Sequence, residues 1–227
     1  MRYDAVFLDI DGTLLWVDLD LERYMEDLAP YTGNGGLTTE KVAGPAWRSL
    51  RRHIEQNIRH RTEEDLALFR RRNARMTAQE LGIEVPVEVL TEVAGRRISF
   101  NPYPESETVL RRLREMGTRL FAVSNWDIEL GALLDSLGWS SYFDGVIASA
   151  VVGVEKPEGG IFEEALRVGG VSRARVVHVG NDPFTDVMGA SEAGIDTVLV
   201  DRGGALEAPE ATFVLPNLDG LPGIVDG

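Results

Sequence analysis

The sequence predicts an α/β fold: a parallel sheet with helices on both faces, interrupted near its start by a mainly helical insertion. Three observations carry this reading. Apolar strands and amphipathic helices alternate from Asn101 onward, a long stretch before them has helical periodicity, and the chain opens on a strand of its own.

The opening strand lies in "VFLDIDGTLL", residues 6–15. Val6, Phe7, Leu8 and Ile10 form a short buried run, and Gly12-Thr13 supplies the break that ends it, so Asp9 and Asp11 stand at the strand's exit. From about Trp16 to Phe100 the pattern is helical. "WRSLRRHIEQNIRHRTEEDLALFRRRNARM" mixes Leu, Ile and Phe at helical spacing with many arginines, and "TAQELGI" and "PVEVLTEVAG" read as further short helices. The helix "PESETVLRRLREMG" then closes at Gly117 and gives way to the strand "RLFAVSN" and the helix "DIELGALLDSLG". Three more strands, "YFDGVIAS", "ARVVHVG" and "DTVLV", are separated by the helices "GGIFEEALRVGG" and "PFTDVMGASEAG". After Arg202 the chain is rich in Gly and Pro, a closing segment with a short edge strand at "TFVL". The expected division is a core of residues 1–15 and 101–227 and an insert of residues 16–100.

Composition narrows the function. At 227 residues and 44% hydrophobic content the chain can bury a substantial core. Thirty-seven acidic against 23 basic side chains give a formal charge of −14, which opposes general binding to nucleic acid or anionic membranes. The absence of cysteine excludes disulfides, thiolate metal sites and cysteine nucleophiles. No basic leader precedes an apolar run, and no segment approaches the roughly 20 apolar residues of a membrane span, so a cytoplasmic protein is expected. Nothing in the sequence sets the oligomeric state.

In parallel α/β sheets the ligand crevice lies outside the carboxyl ends of the strands. Four separate segments deliver polar groups there: Asp9 and Asp11, Ser124-Asn125, Lys156-Pro157, and Gly180-Asn181-Asp182 with Asp186. Asp-Gly alone is a common turn dipeptide. The whole string Asp9-Ile10-Asp11-Gly12-Thr13, with the other three segments after it in order, resembles the four motifs of the haloacid dehalogenase-like hydrolase superfamily. That resemblance implies a Rossmann-like core, makes the insert after the first motif similar to the family's cap, and, through Asp11, favours the phosphatase-like branch over the dehalogenases.

The same resemblance implies Mg²⁺-dependent hydrolysis of a small phosphorylated metabolite. Asp9 is expected as nucleophile, forming an aspartyl-phosphate, and Asp11, two residues along and so on the same side of the strand, as general acid and base. Like charges 4 Å apart at an effective dielectric of about 20 repel by roughly 4 kcal/mol, so such a site needs cations. Mg²⁺ would take oxygens from Asp9, the Asp11 backbone and a fourth-motif acid, with Asp182 preferred to Asp186, while Lys156 adds a positive charge. Ser124, Asn125, Gly12 and Thr13 are expected to contact the phosphoryl group. Many relatives read Gly-Asp where this chain has Gly180-Asn181, which leaves the direct metal ligand open. A phosphomutase, a phosphonate hydrolase or a non-catalytic phosphate-binding protein are the alternatives on the same scaffold. His178 reads as a core histidine, His53 and His60 as members of a solvated face, and Trp16 as a packing residue. The insert's arginines read as mostly structural, with one or two free to meet an anionic substrate.

Overall fold

Two kinds of local pattern build two compact units, Met1–Trp16 with Pro102–Gly227, and Val17–Asn101. The computed structural model describes residues 1–32 and 36–227. In chain order the strands are β1 (Ala5–Leu8), β2 (Leu15–Leu19), β3 (Ile98–Pro102), β4 (Arg119–Ser124), β5 (Gly145–Ala148), β6 (Val176–Gly180), β7 (Asp196–Val200) and β8 (Phe213–Leu215). Six of them form one parallel sheet in the order β5-β4-β1-β6-β7-β8.

β1 is central, paired with β4 on one side and β6 on the other, with Phe7 in register with Phe121 and His178. From β1 the chain winds outward through β4 to β5, then restarts at β6 on the other side. The strand order therefore switches around β1, where such sheets place their ligand crevice. Both faces of β1 and β6 are buried, which is why they read as near-continuous apolar runs. On one face Phe7, Phe121, Val123, Ile147, Phe162 and Ala165 form the core, with the Phe7 and Phe121 rings edge to face at 5.7 Å.

The insert unit holds four α-helices among its described residues: α1 (Leu21–Leu28), α2 (Thr39–Gln56), α3 (Glu63–Leu81) and α4 (Val87–Arg97). Their apolar faces meet around Tyr24, Leu28, Val42, Ala46, Ala74, Leu90 and Val93. The long arginine-rich stretch is broken between α2 and α3, because Thr62 caps a new helix by accepting the Asp65 N–H at 3.1 Å. "TAQELGI" is the last turn of α3 rather than a separate helix, and its true stop is Gly82 at φ +65°. The ends of the insert are strands rather than helices: β2 and β3 pair into a two-stranded sheet.

The remaining helices belong to the first unit: α5 (Ser106–Glu115), α6 (Leu130–Ser136), α7 (Ser149–Val152), α8 (Gly159–Gly169), α9 (Gly189–Glu192) and α10 (Leu221–Asp226). A wide π-type turn over Pro183–Met188 leads into α9. No helix among the described residues is long and apolar enough to cross a membrane.

Candidate active site

Asp9 comes directly after β1, and its N–H donates to the Val179 carbonyl of β6 at 2.9 Å. Its side chain is only 8% exposed. Its Oδ1 accepts from Ser124 Oγ, at the end of β4, at 2.9 Å and from Lys156 Nζ at 2.7 Å. Its Oδ2 has a longer contact, 3.2 Å, with Thr13 Oγ1. The turn that brings Thr13 back depends on Gly12, whose φ of +80° is left-handed. A Cβ on Gly12 would fall 2.3 Å from the Asn181 amide. Asn181 thus reaches the same place: its Oδ1 is also 3.2 Å from Thr13 Oγ1.

Lys156 is 3% exposed and links two carboxylates, with Nζ 2.7 Å from Asp9 and 2.5 Å from Asp186. Asn125 fixes its backbone from both sides. Oδ1 accepts the Lys156 N–H at 2.7 Å and Nδ2 donates to the Lys156 carbonyl at 2.9 Å. The Asn125 amide, expected at the phosphoryl group, is instead committed to holding Lys156.

Asp186 Oδ1 also lies 3.0 Å from His178 Nε2, while Oδ2 accepts the Asp182 N–H at 3.0 Å. Gly180 makes room for this carboxyl group, since a Cβ there would fall 2.1 Å from its carbon. The Asp182 side chain does a different job, accepting the N–H groups of Phe184 and Thr185 at 2.8 and 2.7 Å and so capping the π-type turn. Asp11 is half-buried and its backbone pairs with Leu15. Among the described residues no group of three or more acidic or histidine side chains is gathered as a metal cluster.

The electrostatics arise from two buried carboxylates sharing one ammonium. Burial pushes the Asp9 carboxyl up; Lys156 opposes this and the Asp186 charge adds to it. Burial acts in the same sense on Asp186, but the Lys156 charge and the His178 hydrogen bond outweigh it and hold that carboxyl well below the usual range. For Lys156, burial favours loss of the proton, and the charges of Asp186 and Asp9 prevail and keep the ammonium. Of the two carboxyls, Asp9 is the one whose charge is less fully compensated.

Three residues here have a place that sequence reasoning does not assign. His178 looks like a core residue, yet it precedes Gly180 by two and so shares its side of the strand, where Asp186 packs. Asn181 is hidden by the two acids near it. Arg202, in the segment after β7, donates to the Thr13 carbonyl at 2.9 Å and pairs with Glu105 at 2.7 Å. Its guanidinium stacks 3.4 Å over Tyr103, whose ring in turn lies 5.0 Å from Trp16.

Known proteins give this geometry a family. A 201-residue stretch covering 88% of the chain is 33% identical to a glyceraldehyde 3-phosphate phosphatase of Methanopyrus kandleri, over 84% of that protein. A phosphoserine phosphatase of Thermus thermophilus is 34% identical over 63% of this chain and 59% of its own. A HAD phosphatase from Thermococcus onnurineus superposes with a TM-score of 0.63 at 25% identity, covering 99% of this chain and 98% of that one. The family model for haloacid dehalogenase-like hydrolases matches residues 3–194, and the chain belongs to that family.

Proposed function

We propose that the protein is a Mg²⁺-dependent phosphatase acting on a small phosphorylated metabolite through an aspartyl-phosphate on Asp9. The observation that carries this reading is the Asp9 carboxylate itself: buried at the central strand end, anchored through Oδ1 by Ser124 and Lys156, with Oδ2 held only loosely by Thr13. An oriented carboxylate with one lightly engaged oxygen suits attack on phosphorus. The names of the Methanopyrus and Thermus relatives, both phosphatases of small phosphorylated molecules, point the same way.

In the first step Asp9 Oδ2 bonds to phosphorus as the ester oxygen leaves, taking a proton from Asp11. In the second, Asp11 accepts a proton from water, which attacks phosphorus and returns Asp9 with inorganic phosphate. Lys156 and the Ser124 hydroxyl steady the charge of the transferring group, and Asn125 holds Lys156 in place. The inserted unit, Val17–Asn101, is assigned the part of a cap that sets substrate choice.

The residues present fit a hard cation. The donors are all oxygens, the buried Asp9 carboxyl is incompletely compensated by Lys156, and Mg²⁺ needs only one or two carboxylates because it keeps several waters. Asp9 and the Asp11 backbone carbonyl would hold it. In the fourth motif we assign the remaining place to Asn181 Oδ1 rather than Asp182, whose carboxylate is engaged in capping. Bound there, Mg²⁺ would offset the charge on the phosphoryl oxygens.

The test is phosphate release from a broad panel of phosphomonoesters, with Mg²⁺ and with chelator, for the natural protein and Asp9→Asn. Metal-dependent release that falls by roughly three orders of magnitude or more in the variant is expected. Silence across the panel from folded protein, or undiminished release by Asp9→Asn, overturns the reading.

A further inference from the structure

Within the insert, the end of α2, the link after it and the middle of α3 enclose a concavity of about 180 Å³ lined by Arg52, Arg59, Arg72, His60, Phe69 and Met76, among others. Three arginines around it are neutralised. Arg48 and Arg52 share Glu80, and Arg71 pairs with Glu88. Arg52 is further pinned by Asn73 at 2.8 Å and Thr77 at 3.2 Å, so it forms a fixed wall. His60 is half-buried, one face of its ring stacked on buried Phe69 at 4.6 Å.

Arg59 and Arg72 differ from these. Both line the concavity, both are exposed, and neither pairs with an acid among the described residues. In a chain with formal charge −14, two unneutralised guanidiniums facing one hollow stand out. Guanidinium forks match carboxylate and phosphate oxygens in pairs. Beside them Met76, 41% exposed, and the His60 ring that covers Phe69 offer apolar surface. We propose that this pocket binds a small organic anion, its oxyanion between Arg59 and Arg72 and its apolar part against Met76 and the His60 ring.

The experiment uses the full chain and no turnover, so its outcome is independent of the role of Asp9. Proton NMR follows the ring signals of the chain's three histidines, with His60 assigned through a His60→Gln spectrum, as benzoate is added at constant ionic strength. Benzamide serves as the neutral isostere. Saturable displacement of the His60 signal by benzoate is expected, with a Kd on the order of 1 mM. Arg59→Gln with Arg72→Gln should weaken it roughly tenfold or more, and each single change severalfold. Both side chains are exposed, so these variants should fold; unchanged His53 and His178 signals would verify that. No displacement, equal displacement by benzamide, or unchanged affinity in the double variant overturns the proposal.

Discussion

Lys156 sits between two carboxylates that would otherwise face each other inside the protein, so its removal is expected to act on stability before it acts on chemistry. Breaking a buried ion pair by deleting one partner costs about 3–5 kcal/mol, because the remaining charge is uncompensated. Lys156→Met should destabilise the chain by that amount in metal-free denaturant unfolding, and adding Asp186→Asn should recover a good part of it. Additivity of the two changes would mean that Lys156 and Asp186, 2.5 Å apart, contribute no pairwise stabilisation. Gly180→Ala acts through the same group. Its new methyl must displace the Asp186 carboxyl, and a shift near 1 Å in a catalytic array costs roughly a hundredfold in rate, so kcat should fall by about that factor. Asp9, Ser124, Lys156 and Asp186 are legible in the sequence because each stands at or beyond the end of an apolar strand. Asn181 and His178 are not, because an amide beside acids and a histidine within an apolar strand carry no pattern of their own.

Among the elements, the α1–α4 pairing contains a group that senses pH. Arg97 donates two hydrogen bonds to Asp27, at 2.7 and 2.9 Å, and Arg96 adds another at 2.9 Å. These contacts draw the Asp27 carboxyl from 3.8 down to about 2. A carboxyl depressed on folding contributes stability above its unfolded pKa, and that contribution is lost as pH falls toward its folded one. The Tm advantage of the natural protein over Asp27→Asn should therefore be full at neutral pH and shrink between about pH 4 and pH 2. A constant difference across that window would contradict the sign. Strands β4 to β7 and helices α6 and α8 are read directly from apolar runs closed by glycine, whereas α7 goes unread and the helix expected over "PFTDVMGASEAG" is a π-type turn leading into the short α9. The insert is harder to read, because arginine stems keep a helical period running through residues 57–62, and the break comes from one hydroxyl, that of Thr62. β2 and β3 are missed because their alternation is short and only partly buried.

At the scale of the whole molecule, a chain of charge −14 carries at its central strand end a buried carboxylate with incomplete compensation, so the folded core should gain stability from a cation that the unfolded chain does not hold. A ligand at one hundred times its Kd stabilises by about 2.7 kcal/mol. For a chain of this size each kcal/mol moves Tm by roughly 2–4 °C, so saturating Mg²⁺ should raise the Tm of the core transition by roughly 5–10 °C relative to matched NaCl. The salt control separates site binding from screening of the net charge. Variants then locate the oxygens. Asp9→Asn and Asn181→Ala should lose most of the rise. Asp182→Ala should begin from a Tm lower by the loss of the cap on the π-type turn, about 1 kcal/mol, yet keep the full response to Mg²⁺. The reverse pattern, with the response lost in Asp182→Ala and kept in Asn181→Ala, would transfer the ligand to Asp182 and require its cap to open. No response in the natural protein would mean that Lys156 alone neutralises the site.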